Sequence, residues 1–192
     1  MEPRLAQAKA GKRKVYFADS AHFVLGAYLG FLWCFVRVVI RAPSGRQRFN
    51  VLGALDAITR QVITLTNETY ITASEVCLLL TKLVEQNPKG PVMTVVLDNA
   101  PYQRCKAVQA RAAELGVELL FVPTYSPNLN LFERLWKFVK KECLYGKYYE
   151  SFEPFKQAIT KCLEEATGCH QAALATLLTL EFQTLQPATS AR

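Results

Sequence analysis

Between the breaker NPKGP and the turn DNAP, residues 92–97 read VMTVVL, an uninterrupted apolar run with β-branched members. Such a run is a strand inside a sheet whose two faces are both covered. Asp98 ends it. An earlier short apolar run, KVYFAD at 14–19, also ends on an acid, Asp19, so two carboxylates are expected side by side at one sheet edge. RFNVLGALDA at 48–57 and QVITLT at 61–66 flank a turn at 58–60 and predict an antiparallel hairpin. Val76, Leu79, Leu80 and Leu83 recur at helical spacing, which predicts a helix over 72–86 crossing the sheet. A helix over 103–115, a turn at Gly116, a strand over 117–122, a helix from about residue 131 and helices over 152–166 and 174–185 follow. Residues 22–36, rich in aromatics and glycine, read as extended segments with turns near Gly26 and Gly30. The order predicts an α/β chain, a mixed five-stranded sheet with helices on both faces.

A chain of 192 residues, 51% of them hydrophobic and 20% charged, can bury one sizeable core. The expected organisation is a flexible basic arm over 1–13, a main domain over 14–170, and a C-terminal helix and tail over 171–192. MEPRLAQAKAGKRK at the start carries five cations and one acid and lacks the apolar stretch of a signal peptide. The longest apolar run, residues 23–36, is 14 residues long, short of the roughly 20 that a membrane span requires. Six cysteines without a CxxC pair fit reduced thiols in a cytoplasmic protein. A net charge of +7 favours an anionic partner, nucleic acid ahead of a membrane surface.

The helix expected from about residue 131 has two faces. Phe132, Leu135, Trp136, Val139 and Cys143 share the apolar one. On the other, Lys140 lies roughly 20° from Glu133 and Lys137 roughly 40°, with Lys141 and Arg134 further round. One carboxylate therefore edges a basic stripe, which suits a polyanion; the same stripe also reads as a solvated face. Arg37, Arg41, Arg46 and Arg48 surround the turn signal APSG, where they could grip phosphates or form a solvated hairpin tip. Asp19, Asp98 and Glu133, with no histidine or cysteine among them, offer hard oxygen donors for Mg²⁺ or Mn²⁺. Two such ions about 3.5–4 Å apart can activate an attacking hydroxyl and stabilise the leaving oxygen of a phosphodiester. Asp19 and Asp98 also read as turn or helix caps. His22 reads as a packed or hydrogen-bonded histidine, Trp33 and Trp136 as core, and Tyr125 as a loop residue placed to touch DNA.

Three ordered blocks, VYFADSAHF around Asp19, VVLDNAPYQ around Asp98 and VPTYSPNLNLFERLWKFVKK around Glu133, resemble the mariner-like group of bacterial insertion-sequence transposases, with RFNVLGAL as a further match. Thirty-four residues, 99–132, separate the second acid from the third, the interval this branch favours. The resemblance implies a ribonuclease-H-like fold, with Asp19, Asp98 and Glu133 as the metal ligands of an enzyme that cuts transposon ends and joins a 3′-hydroxyl to target DNA. It also implies a homodimer on double-stranded DNA. Members carry helix-turn-helix modules ahead of this domain, and none fits before residue 14, so end recognition is expected from elsewhere, such as a separate polypeptide. Ser20 stands where Glu is common and Gln103 where His is common; Thr124, Asn128 and Leu131 replace Pro, Asp and Pro. A catalytically silent DNA-binding remnant and a ribonuclease-H-like nuclease of another role are the competing readings.

Overall fold

The computed structural model describes residues 1–26, 35, 47–123, 129–168 and 171–180. Five strands make one sheet: β1 (Arg13–Val24), β2 (Arg48–Asp56), β3 (Val62–Asn67), β4 (Val92–Leu97) and β5 (Val117–Phe121), in the order β3-β2-β1-β4-β5. β1, β2 and β3 pair antiparallel, while β4 and β5 run parallel to β1 and to each other. The sheet is thus mixed, as expected.

Alternation along the strands sorts the side chains into two cores. Tyr16, Ala18, Leu52, Ala54, Val95 and Leu97 face α2 (Ala73–Glu85) and α3 (Lys106–Glu114). Val15, Phe17, Phe23, Val51, Leu55 and Val96 face α4 (Leu131–Cys143) and α5 (Phe152–Glu164). α2 buries Val76, Leu79, Leu80 and Leu83, and it starts with a reciprocal capping box between Thr72 and Glu75. A 3₁₀ turn, Glu165–Thr167, leads towards the short α6 (Gln171–Leu177), whose Leu174 joins the second core. The last helix thus lies earlier than the 174–185 expected from sequence; 181–185 fall outside the described residues.

Two expectations are corrected. The N-terminal stretch is no flexible arm: α1 (Glu2–Lys9) packs Leu5 and Ala8 into the second core and ends at Gly11, whose φ of 70° suits glycine. Part of its charge is used internally. Arg4 Nη2 and Arg13 Nη1 meet Glu118 at 2.5 and 2.6 Å, and Thr94 Oγ1 donates to the same carboxylate at 2.7 Å. Hydrogen bonds from Arg4 and Thr94, ahead of the arginine charges, hold Glu118 down at about 2. With only Leu5 and Ala8 buried in eight residues, the helix's buried side is faint in sequence.

The first strand also does not stop at Asp19. Its parallel pairing with β4 ends at Phe17↔Val96, but its pairing with β2 continues to Val24↔Arg48. The acid therefore arises where one neighbouring strand departs rather than where its own strand ends.

Opposite Asp19 on β2 stands Gly53. A Cβ there would lie 3.0 and 3.1 Å from Phe132 Cε2 and Cε1 and nearer still to Cζ. The missing side chain is the seat of α4. Phe132 is fully buried and its ring lies 4.7 Å from that of Trp136, so it cannot swing aside without disturbing that packing. Gly53→Ala is expected to destabilise the fold by about 1–3 kcal/mol through overpacking. Adding Phe132→Leu should recover part of the loss. Urea unfolding of the single and double variants measures both, and an unchanged midpoint for Gly53→Ala would disprove the seat.

Candidate active site at the carboxyl ends of the parallel strands

Asp19 lies two residues beyond Phe17, and Asp98 two beyond Val96, its partner. The register of the parallel pair thus carries the two acids out side by side. Asp19 takes the sheet face that α4 covers: Trp136 Nε1–H donates to its Oδ2 at 2.9 Å, and the Ser20 backbone N–H to its Oδ1 at 2.7 Å. Asp98 Oδ1 accepts from Asn130 Nδ2 at 3.1 Å.

Asn130 is the N-cap of α4. Its Oδ1 accepts from the Phe132 N–H at 3.0 Å, while its Nδ2 reaches both Asp98 and, at 3.3 Å, the Ala18 carbonyl. This 1%-exposed side chain fastens the start of the helix to both acid-bearing strands. Glu133 then falls in the first turn.

Burial, followed by the charge of Asp98, raises the pKa of Asp19 to about 7; the N–H groups of Ser20 and Trp136 oppose the rise, and the charge of Glu133 adds a smaller push. Asp98 and Glu133 thus both act on Asp19, Asp98 more strongly than Glu133. Among the described residues, no three acidic, histidine or cysteine side chains stand close enough to surround one ion. The donors nevertheless fit a hard dication. They are oxygens only, and the electrostatic strain on Asp19 is what a nearby positive charge would relieve.

The reverse face of β1 carries Ser20, whose Oγ lies 3.0 Å from Tyr102 Oη; Gln103 Nε2 donates to the same phenol at 3.4 Å. Gln103 Oε1 is buried with no hydrogen-bond partner among the described residues. His22 shares that reverse face and is exposed. Asn50 Nδ2 donates to Asn67 Oδ1 and the Thr69 carbonyl, so Asn50 Oδ1 is left to accept from His22 Nδ1–H at 2.7 Å. His22 is a hydrogen-bonded sheet residue, away from Asp19.

Of the cations expected to contact DNA, Lys137 and Lys141 are exposed and Lys140 is half-buried on α4. Arg134 is tied down instead, its Nη1 donating to the carbonyls of Leu177 and Thr179 at 3.3 and 2.9 Å. Arg48 lies at the start of β2, with its guanidinium 5.8 Å from the Tyr70 ring centre. It pairs with Val24, five residues along β1 from Asp19, or about 17 Å away. Arg37, Arg41, Arg46, Tyr125 and Trp33 lie outside the described residues. Asn130 is not among the candidates drawn from the sequence, although an asparagine directly before an amphipathic run is a helix-start signal. Trp136 is expected there only as core, which it is at 6% exposure.

A mixed five-stranded sheet flanked by helices, with one acid on its first strand, one just past its fourth and one on a helix packed against it, is a ribonuclease-H-like arrangement. Residues 14–156 match the family described as DDE superfamily endonuclease, and the chain belongs to that family. Three solved structures share the fold. The Mos1 strand transfer complex superposes with a TM-score of 0.66 at 17% identity, covering 92% of this chain and 56% of that one. A pre-cleavage Mos1 transpososome gives 0.61 at 14%, covering 95% and 61%. The Mos1 mariner paired-end complex with Mn gives 0.60 at 17%, covering 89% and 59%. The chain thus spans under two-thirds of the length of those relatives. No curated protein sequence matches it. No helix among the described residues is long and apolar enough to cross a membrane.

Because the pKa of Asp19 is higher in the folded chain than in the unfolded one, its contribution to stability is fully present below about pH 4 and is lost as pH rises through about 7. In EDTA, the unfolding free energy should therefore fall across this window by at most a few kcal/mol, since each tenfold gain in proton affinity on folding is worth about 1.4 kcal/mol. Asp19→Asn should flatten the fall. Urea unfolding at a series of pH values measures it, and equal slopes in the two proteins would refute the assignment.

Proposed function

We propose that this chain is the catalytic part of a transposase, cutting DNA at transposon ends and joining the freed 3′-hydroxyl to target DNA, with two Mg²⁺ or Mn²⁺ ions held by Asp19, Asp98 and Glu133. The reading is carried by the parallel register that brings Asp19 and Asp98 out together beneath the helix bearing Glu133. Membership of the DDE superfamily endonuclease family supports it, as do the similar Mos1 structures, one described as a strand transfer complex and one as containing Mn.

When bound, divalent ions would polarise the scissile phosphate and lower the cost of forming the attacking oxyanion. The chain's own part is to supply the anionic cradle. Asp19 sits on a sheet strand, Asp98 just past β4 and Glu133 on a seated helix, so each carboxylate would approach the ions from a fixed element. In cleavage, a water oxygen bonds to phosphorus, the bond from phosphorus to O3′ breaks, and O3′ leaves as a hydroxyl. In joining, that hydroxyl attacks a target phosphodiester in the same way.

DNA is held mainly through its phosphates. Lys137, Lys140 and Lys141 continue along α4 from Glu133, and Arg37, Arg41, Arg46, Arg48 and Tyr125 extend the contact. Arg134 serves to fix the C-terminal segment. Two chains act on paired ends, sequence-specific recognition comes from a further segment or polypeptide, and the setting is the bacterial cytoplasm.

Purified protein should nick supercoiled plasmid in Mn²⁺ and not in EDTA. Asp98→Asn should bind DNA as the parent does and fail to nick. Binding should weaken with salt, with a log–log slope of about −0.9 for each phosphate neutralised. Salt-sensitive binding with no nicking under any divalent ion would leave a DNA-binding module and overturn the catalytic reading.

A further inference from the structure

Both strand acids accept a hydrogen bond from the helix that carries the third. Trp136 Nε1–H reaches Asp19 Oδ2 at 2.9 Å, and Asn130 Nδ2–H reaches Asp98 Oδ1 at 3.1 Å. Neither donor is a surface group that happens to touch. Asn130 is 1% exposed and Trp136 6% exposed. The indole is wedged between Phe132, at 4.7 Å between ring centres, and Phe23, at 5.8 Å edge-on.

We infer that Trp136 and Asn130 are positioning residues through which α4 aims the carboxylates of Asp19 and Asp98 at the divalent ions. The inference rests on the metal-dependent reading above. A free carboxylate turns about its terminal bond at little cost, whereas one gripped by two donors has a fixed plane. Asp19 is gripped in this way: the Ser20 backbone N–H occupies one lone pair on Oδ1 and the Trp136 indole one on Oδ2, which leaves one lone pair on each oxygen. Asp98 has one oxygen assigned to Asn130 and the other without a hydrogen-bond partner among the described residues. Hydrogen-bond donors behind ligating groups set the ligands' orientation and their affinity for the ion. Here both donors belong to one rigid body, so docking of α4 sets the direction of all three acids in a single event.

The chemistry assigns different losses to different atoms. Trp136→Phe keeps an aromatic ring in the slot and removes only the N–H. Asn130→Ser keeps an oxygen able to cap the helix and removes the amide that reaches Asp98. Each should weaken Mn²⁺ binding by about 10- to 100-fold, measured by calorimetry on the full chain, with the circular dichroism spectrum unchanged. Binding of diamagnetic Mg²⁺ should also move the indole N–H resonance of Trp136, assigned in a Trp33→Phe background, with the same midpoint as a calorimetric titration of Mg²⁺. A merely structural tryptophan would not report the ion.

If the parent protein and Asp98→Asn both fail to bind Mn²⁺, the metal-dependent reading itself is wrong. If the parent binds and both positioning variants bind equally well, the inference is overturned while that reading stands. Should Trp136→Phe fail to fold, the resonance decides: a shift that tracks binding supports the role, and an indole signal unmoved at saturation removes it.

Discussion

The site depends on a side chain that is not there. Gly53 faces Asp19 across the β1–β2 ladder, and the ring of Phe132 occupies the space its Cβ would take. Helix-on-sheet packing ordinarily keeps a helix a full side-chain layer above the strands. Here one ring drops through that layer next to the first acid. Phe132 immediately precedes Glu133, and Trp136 lies one turn further on, so the depth of that contact determines where both reach. Asn130 fixes the remaining freedom by fastening the helix's first turn to the Ala18 carbonyl and Asp98. Glycine, phenylalanine and asparagine thus fix the height and the axial position of α4, and the acids inherit their placement from these contacts.

The electrostatics follow from the same geometry. Two carboxylates carried out in register from adjacent parallel strands cannot both be comfortable as anions in a partly buried site. Asp19 is strained in this way, and the two N–H donors trained on it only partly offset burial and the charge of Asp98. A fold that wanted only stability would place a lysine or arginine here, as it does around Glu118, where two arginines and a threonine compensate one acid completely enough to hold it at about 2. Both arrangements occur at opposite ends of the same strands. The contrast is between an acid compensated by the chain's own cations and one met, among the described residues, by N–H donors.

Much of this is legible in the chain. β4 has the bounds its apolar run predicts, the four leucine and valine positions of α2 are its buried ones, and the five residues expected on the apolar side of α4 are all buried, joined by Leu131 and Phe138. These are local patterns, set by periodicity within a few turns. The misreadings share a different cause. Asp19 looks like a strand end because an acid after an apolar run is a stop signal on its own, yet pairing with β2 carries the strand on to Val24. The helix at Glu2–Lys9 docks through Leu5 and Ala8 and through Arg4, whose partner acid, Glu118, lies more than a hundred residues away. Trp136 fits an apolar stripe whether or not its indole N–H finds a carboxylate, and Gly53 reads as an ordinary strand glycine until Phe132 arrives. Each of these depends on a contact between distant parts of the chain.

One consequence concerns the count of residues between Asp98 and Glu133. That interval is occupied by α3, β5 and the approach to α4; within it, Asn130 alone supplies a described hydrogen bond to one of the three acids. The helix is located by its anchors on β1 and β2, not by the length of the path leading to it. Lengthening or shortening that path should therefore be tolerated wherever the chain can still deliver Asn130 to the two strands. The spacing that helps identify such a chain is then a fingerprint of ancestry, while the mechanical tolerance of the site lies in one notch and one cap.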